Sequence, residues 1–182
     1  MSTLEHHLLI ASPQLTDAWF AETVVLLVAH NDQGAFGIVL NRPTEETVGE
    51  IWGELGESPC DSQQPANVGG PVDGPVMALH TDESFADIRV APEVFLAVQR
   101  DNLDWVVHQK QCPFRLFVGT ASWQAGQLED ELKKGVWLVM PVKSEFVFAS
   151  PDRLWDAALR EHGRDFWQKI GIRHFPEDVT FN

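Results

Sequence analysis

The sequence predicts one α/β or α+β domain built on a mixed β-sheet, rather than a regular doubly wound fold. The apolar stretches are short and β-branched, and helical patterns interrupt them. Strands come first, and strands and helices are mixed afterwards. At 182 residues with 44% hydrophobic and 22% charged content, the chain suits a single domain over 1–182 that needs no disulfide or structural metal. It shows no internal repeat, low-complexity tract or linker.

Leu8-Leu9-Ile10-Ala11 reads as the first strand, stopped at Ser12-Pro13. Thr23 to His30 is a stronger strand, and its continuous apolar run predicts that both faces are covered. The turn signal Asn31-Asp32-Gln33-Gly34 leads into Ala35 to Leu40, which predicts a β-hairpin that Pro43 ends. Over Thr47 to Leu55, Val48, Ile51, Trp52 and Leu55 fall at helical spacing. A polar loop from Glu57 to Ala66 precedes a strand over Val68 to Val72 and another over Val76 to His80. Val94 to Val98 is extended, and Asp101 to Gln111 fits a helix with Leu103, Val106 and Val107 inward. Phe114 to Val118 is a strand. Gln127 to Lys134 is a helix with favourable Glu129–Lys133 and Asp130–Lys134 spacings, stopped at Gly135. A strand over Val136 to Met140 follows. The next helix starts with Ser150 as N-cap and Pro151 at its first position, and Gly163 is its predicted end. Residues 164–182 read as a short helix and an extended tail.

The charge balance excludes whole classes of partner. The formal net charge is −14, which disfavours non-specific binding to nucleic acid or to an acidic membrane. Arg42 is the only Arg or Lys among the first 88 residues, set against fourteen acids. It therefore calls for a specific partner, either an Asp or Glu or backbone carbonyls that clamp it in a bidentate way, or a carboxylate or phosphate of a ligand. Cys60 and Cys112, with 51 residues between them, lie outside any Cys-x-x-Cys unit, and are expected to be free thiols in a reducing, cytoplasmic setting. The start of the chain lacks a basic secretion-signal region, and its apolar runs are too short to span a membrane.

The catalytic motifs are largely missing. There is no Walker-type or dinucleotide-binding glycine loop, and Pro71 removes a backbone N–H that a phosphate cradle at Gly69-Gly70 would use. None of the seven histidines forms a His-x-His or His-x-x-x-His unit, so no metal site is expected, although His30 and His80 both lie at predicted strand ends. No Gly-x-Ser-x-Gly elbow is present. The most basic helical stretch, Pro151 to Arg164, carries acids among its arginines and an apolar core face, unlike a DNA-recognition helix.

What remains is a set of unusual strings. The longest is His30-Asn31-Asp32-Gln33-Gly34-Ala35-Phe36-Gly37-Ile38-Val39-Leu40-Asn41-Arg42-Pro43. With it stand Leu15-Thr16-Asp17, Phe20-Ala21-Glu22-Thr23-Val24-Val25-Leu26-Leu27, Gly69-Gly70-Pro71-Val72, Leu79-His80 and Gly126-Gln127-Leu128-Glu129. In order and spacing they resemble the AlgH/YqgE family of bacterial proteins over roughly residues 4–175. The family's usual Gly-Trp-x-Pro-Gly-Gln-Leu-Glu is Ser122-Trp123-Gln124-Ala125-Gly126-Gln127-Leu128-Glu129 here, without the first glycine and the proline. The resemblance implies a coiled mixed β-sheet with flanking helices, no established enzymatic activity and no cofactor. Members are often labelled transcriptional regulators.

The ligand-binding candidates are His30, Asn31, Asn41, Arg42, Gly69, Gly70, His80, Trp123, Gln127 and Glu129. The favoured expectation is a non-enzymatic binding or regulatory module with a protein or small-molecule partner and no direct contact with nucleic acid. The alternative is a hydrolase-like enzyme using His30, His80 or Glu129 in a cleft.

Overall fold

Strict alternation along the first strand organises the molecule. In a computed structural model that describes residues 3–169, β1 (His7–Ala11) sends Leu8 and Ile10 into a central core and Leu9 and Ala11 into a second core on its other face. Next to it, β2 (Val24–Asn31) does the same, with Val24, Leu26 and Val28 on the central side and Val25 and Leu27 on the other. The continuous apolar run is thus covered on both faces, as its sequence requires.

A two-residue loop joins β2 to β3 (Gly34–Val39), and the Asn31 side chain accepts the Gln33 N–H at 2.8 Å to close the turn. The hairpin register shifts between Leu27 and Ala29. Two later strands complete an all-antiparallel sheet in the order β10-β3-β2-β1-β11, with β10 at Ala121–Gln124 and β11 at Trp137–Pro141.

A second, mixed sheet has the order β4-β5-β9-β6-β8-β7. Its strands are β4 (Pro43–Thr47), β5 (Pro65–Val68), β6 (Met77–His80), β7 (Ile88–Ala91), β8 (Val94–Ala97) and β9 (Phe114–Val118). Only β5 and β9 run parallel. Met77, Leu79, Leu96 and Phe117 of this sheet share the central core with β1 and β2. Helices cover the outer faces. On the far side of the mixed sheet, α1 (Val48–Glu54) and α2 (Arg100–His108) pack Trp52, Leu103 and Val106 against Ala78, Ala97 and Leu116. On the far side of the antiparallel sheet, α3 (Gln127–Lys133) inserts Leu128 beside Trp123 and Trp137. The short α4 (Ser144–Val147) and the long α5 (Pro151–Lys169) contribute Phe146, Val147, Leu154 and Ala158 to the central core.

The predicted class, α+β with flanking helices, holds, and the strands divide between two sheets. The β2–β3 hairpin ends before Pro43, but the chain does not leave β structure there. Pro43 opens the edge strand β4, a position where a missing N–H is tolerated. Likewise Pro65 opens β5, which starts earlier than the Val68–Val72 pattern suggests, and Val72 makes only an isolated bridge to Thr120. The strands β7 and β10 and the helix α4 are new, each of only four residues. α5 runs through Gly163 to Lys169, and the Ser150 hydroxyl bonds to the Asp152 carboxylate beside the helix start. Part of the predicted 164–182 tail lies outside the described residues.

The two sheets join where the chain crosses twice. Leu40-Asn41-Arg42 carries it from β3 to β4, and Gly119-Thr120 carries it from β9 to β10. Gly69 and Gly70 pass between these crossings. The Val39 N–H donates to the Gly69 carbonyl at 2.8 Å, and the Gly69 N–H donates to the Val118 carbonyl at 2.8 Å. A Cβ on Gly69 would lie 2.2 Å from the Gly119 carbonyl oxygen, and one on Gly70 would lie 2.2 Å from the Thr120 carbonyl carbon. Gly70 also sits at φ +153°, where L side chains are strained. Gly70→Ala is therefore expected to lose about 2–4 kcal/mol, combining backbone strain with overpacking. Gly163→Ala in α5, where a Cβ meets nothing within 4 Å, is expected to gain about 0.5–1 kcal/mol of helix propensity. Urea unfolding of the two variants beside the parent chain measures both.

Candidate functional site

The sequence-derived candidates settle into separate places. His30, buried near the end of β2, accepts the Leu4 N–H on Nδ1 at 3.0 Å. That bond assigns the ring proton to Nε2, which donates to Glu129 Oε1 at 2.9 Å. The Glu129 carboxyl is held below its ordinary pKa by its own backbone N–H at the start of α3 and then by the His30 ring. The pair ties β2, the residues before β1 and α3 together with its hydrogen-bonding positions largely occupied.

His80, in the other sheet, is fully buried. Its Nδ1 accepts the Asp82 N–H at 3.3 Å, while Nε2 has no hydrogen-bond partner. The Phe85 carbonyl favours the proton electrostatically without completing a hydrogen bond to Nε2. Burial pushes the imidazole below its ordinary pKa, against the pull of Asp82 and Asp87. His30 pairs across its sheet with Ala35, whereas His80 pairs with Phe95 and Phe114. The two histidines are not strand neighbours, and no group of three or more potential metal ligands exists among the described residues. His80 thus stands apart from the bonded His30–Glu129 pair, and none of the three residues offered for a hydrolase-like site lines the 790 Å³ cleft described below.

Asn41 and Arg42 brace the first crossing. The Asn41 amide oxygen accepts the Val24 N–H at 2.9 Å, and its NH2 donates to the Glu22 carbonyl at 2.8 Å. Arg42 Nη2 donates to the Ala21 carbonyl at 2.5 Å, a single bond to backbone where a bidentate clamp was expected. A small cleft beside it is bordered by Glu22, Asp152 and Asp156, an environment that repels a second anion. Gly69 and Gly70 are consumed by the close backbone approach described above.

Trp123 and Gln127 belong to a different cluster, whose centre is Glu131. The indole N–H groups of Trp123 and Trp137 donate to Glu131 Oε2 at 2.9 and 2.8 Å, and Gln127 Nε2 donates to Oε1 at 3.0 Å. Phe20 packs on both indoles, with centroids 6.1 and 5.6 Å away. In sequence Glu131 is one of three consecutive acids, and nothing local separates it from Glu129 and Asp130. The substitutions relative to the family pattern fall beside this cluster. Ser122 is exposed on β10 opposite Phe36, and Ala125 is exposed just before α3.

A cleft of about 790 Å³ lies elsewhere, between the loop at 59–65, the turn from α2 into β9, and the start of α5. None of the ten candidates lines it. Its walls are rich in proline and aromatic side chains, including Pro59, Pro65, Phe114 and Phe148. Its charged lining is Arg115, Lys110 and His108 against the single carboxylate of Asp61. His108 has both ring nitrogens against carbonyl oxygens, Asp104 at 2.7 Å and Pro59 at 2.9 Å. Two acceptors require two N–H donors, and the Asp104 and Pro59 carbonyls raise its pKa accordingly.

Arg115 is buried on β9. It donates from Nη2 to Asn67 Oδ1 at 2.5 Å and from Nη1 to the Val147 carbonyl at 3.1 Å, and its guanidinium lies 5.4 Å from the Phe117 ring centroid. No carboxylate pairs with it among the described residues, and burial pushes its pKa down to about 10. Sequence reasoning passed over this residue, although a charge inside the apolar run Phe114-Arg115-Leu116-Phe117-Val118 was the signal to find it.

With two sheets sharing a core and helices on their outer faces, the chain is of the fold adopted by two solved proteins. The AlgH protein from Pseudomonas aeruginosa matches with a TM-score of 0.76 and 29% identity, covering 96% of this chain and 97% of that one. A Corynebacterium diphtheriae protein matches in fold with a TM-score of 0.72 over 88% of each chain. The AlgH-like (DUF179) family model matches residues 8–167. A UPF0301 protein of Laribacter hongkongensis is 38% identical over 86% of this chain and 89% of its own length. One from Baumannia cicadellinicola is 35% identical over 86% and 90%. The chain belongs to the AlgH-like family.

Two variants test the local chemistry. Glu131→Ala leaves two buried indole N–H groups without an acceptor and is expected to cost about 2–4 kcal/mol, with a shift in tryptophan emission that Glu129→Ala does not produce. For His80, the folded pKa lies below the unfolded one, so its contribution is full above about pH 6.5 and is lost as the pH falls toward the folded pKa. The stability advantage of the parent chain over His80→Gln is expected to shrink between pH 7.5 and 5 in parallel urea titrations.

Proposed function

We propose that this chain is a non-enzymatic, cytoplasmic binding module that takes a small molecule in the cleft between the 59–65 loop, β9 and the start of α5, and that any regulatory role runs through that binding. The carrying observation is the cleft itself. In a chain of net charge −14, its lining gathers Arg115, Lys110 and His108 against one acid, between apolar walls. Support also comes from the other candidate groups. His30 and Glu129 are bonded to one another, and the Cys60 thiol donates to the Val107 carbonyl rather than to His108. Direct reading of duplex DNA is disfavoured by the net charge, and the arginines of α5 stand among Asp152, Asp156 and Glu161. Among the described residues no helix is long and apolar enough to cross a membrane.

The test is an amide-resolved NMR screen of the whole chain against a mixed metabolite library. Shifts concentrated on residues 59–65, 107–115 and 148–151 support the reading. Hits that concentrate on β2 and α3 around His30 and Glu129 overturn it. Submicromolar, salt-sensitive binding of random duplex in a gel-shift assay overturns the exclusion of DNA.

A further inference from the structure

Buried charges in proteins are normally paired, because removing an ion from water costs several kcal/mol that only a counter-charge or a full set of hydrogen bonds recovers. Arg115 departs from that rule. It is 7% exposed, lines the large cleft, and has no carboxylate partner among the described residues. A guanidinium carries five N–H donors, and two of those of Arg115 are spent, on Asn67 and the Val147 carbonyl. Both of those acceptors are neutral. The remaining donors have no protein acceptor in hydrogen-bond range among the described residues.

Three neighbouring amide side chains in the cleft already donate to backbone carbonyls. Gln64 Nε2 donates to the Phe114 carbonyl at 2.6 Å, Asn67 Nδ2 to the Leu116 carbonyl at 3.0 Å, and Gln109 Nε2 to the Cys112 carbonyl at 2.9 Å. Of the cationic side chains that line the cleft, Arg115 is the buried one, while His108 and Lys110 are exposed.

From this we infer that Arg115 is the anchor of an anion subsite, and that the ligand is an organic carboxylate with an apolar body. The inference rests on the binding-module reading and gives that cleft its ligand class. A planar fork that retains several donors matches the two oxygens of a carboxylate. The apolar walls, Phe114 and Phe148 among them, match a hydrocarbon or aromatic body. The neutral partners Asn67 and Val147 hold the guanidinium in place without cancelling its charge, so the charge remains available to a ligand.

The experiment compares benzoate and octanoate with benzamide, octanamide and inorganic phosphate, each titrated into the full-length chain. It follows the Arg115 side-chain Nε–H resonance and the melting temperature. The subsite predicts that the acids shift that resonance and raise the melting temperature, with at least tenfold tighter binding than the matching amides. Arg115→Met is expected to lose that acid-over-amide preference. Acid and amide binding equally at the cleft overturns the anion subsite while leaving the binding-module reading in place. Phosphate shifting the resonance where neither acid does overturns the carboxylate class. An Arg115 resonance unmoved by any probe overturns the subsite on the parent chain alone, whether or not the variant folds. If the broader library also leaves the cleft unperturbed, both readings fall.

Discussion

The contact on which the rest of this structure depends is between backbones. Gly69 and Gly70 lie against Gly119 and Thr120 so closely that a single added methyl would overlap main-chain atoms. That proximity lets β5 and β9 run parallel in one sheet while β3 and β10 pair in the other. It also lets the hydrogen bond from Val39 to Gly69 link the two. The two sheets thereby share one central core instead of packing as separate layers joined by loops. Asn41 and Arg42 serve the same junction from the opposite side by fixing the backbone at Ala21, Glu22 and Val24. Four of the ten residues that first suggested a ligand site, Asn41, Arg42, Gly69 and Gly70, are the fastenings of this crossing.

Electrostatics divides the molecule in a complementary way. The surface is acidic, and several of its charges are engaged locally, as in the Arg89–Glu83 and Lys133–Asp130 pairs. Such exposed pairs contribute little to stability. The unusual charge is the interior one. A guanidinium supported by an amide oxygen, a carbonyl and an aromatic face is held in position without a counter-ion. Replacing a buried ion with an apolar residue is often neutral or stabilising, so keeping a charge there asks for a reason beyond folding.

Much of the fold was legible in the sequence because its signals are local. The run Thr23 to His30, covered on both sides, and the hairpin turn at Asn31 each carry their instructions within a few residues. What was not legible depends on pairing at a distance. The four residues of β10 form a strand because β3 offers them an edge, and Pro43 begins a strand because β4 is itself an edge. The candidate site divided in the same manner. The histidines were found, but whether they meet depends on which sheet each strand joins. Glu131 looked like part of a solvated acidic run, and only the approach of two indoles from β10 and β11 distinguishes it. Arg115 was readable in principle, as a lone charge within an apolar strand, but its missing counter-ion is visible only in three dimensions.

The pairing of β1 with β11 joins His7 to Pro141, so one edge of the first strand stays open until most of the chain has been made. During synthesis, the hairpin formed by β2 and β3 can protect only the other side of β1. The nascent chain thus presents an apolar, unpaired edge for much of its elongation, the kind of surface that invites association with other chains. Long-range closure of this sort also slows folding, because the entropy of the intervening loop is lost before the contact forms. Among the described residues the last strand to emerge is the one that seals the first, so the antiparallel sheet closes only after every strand of the mixed sheet has been made.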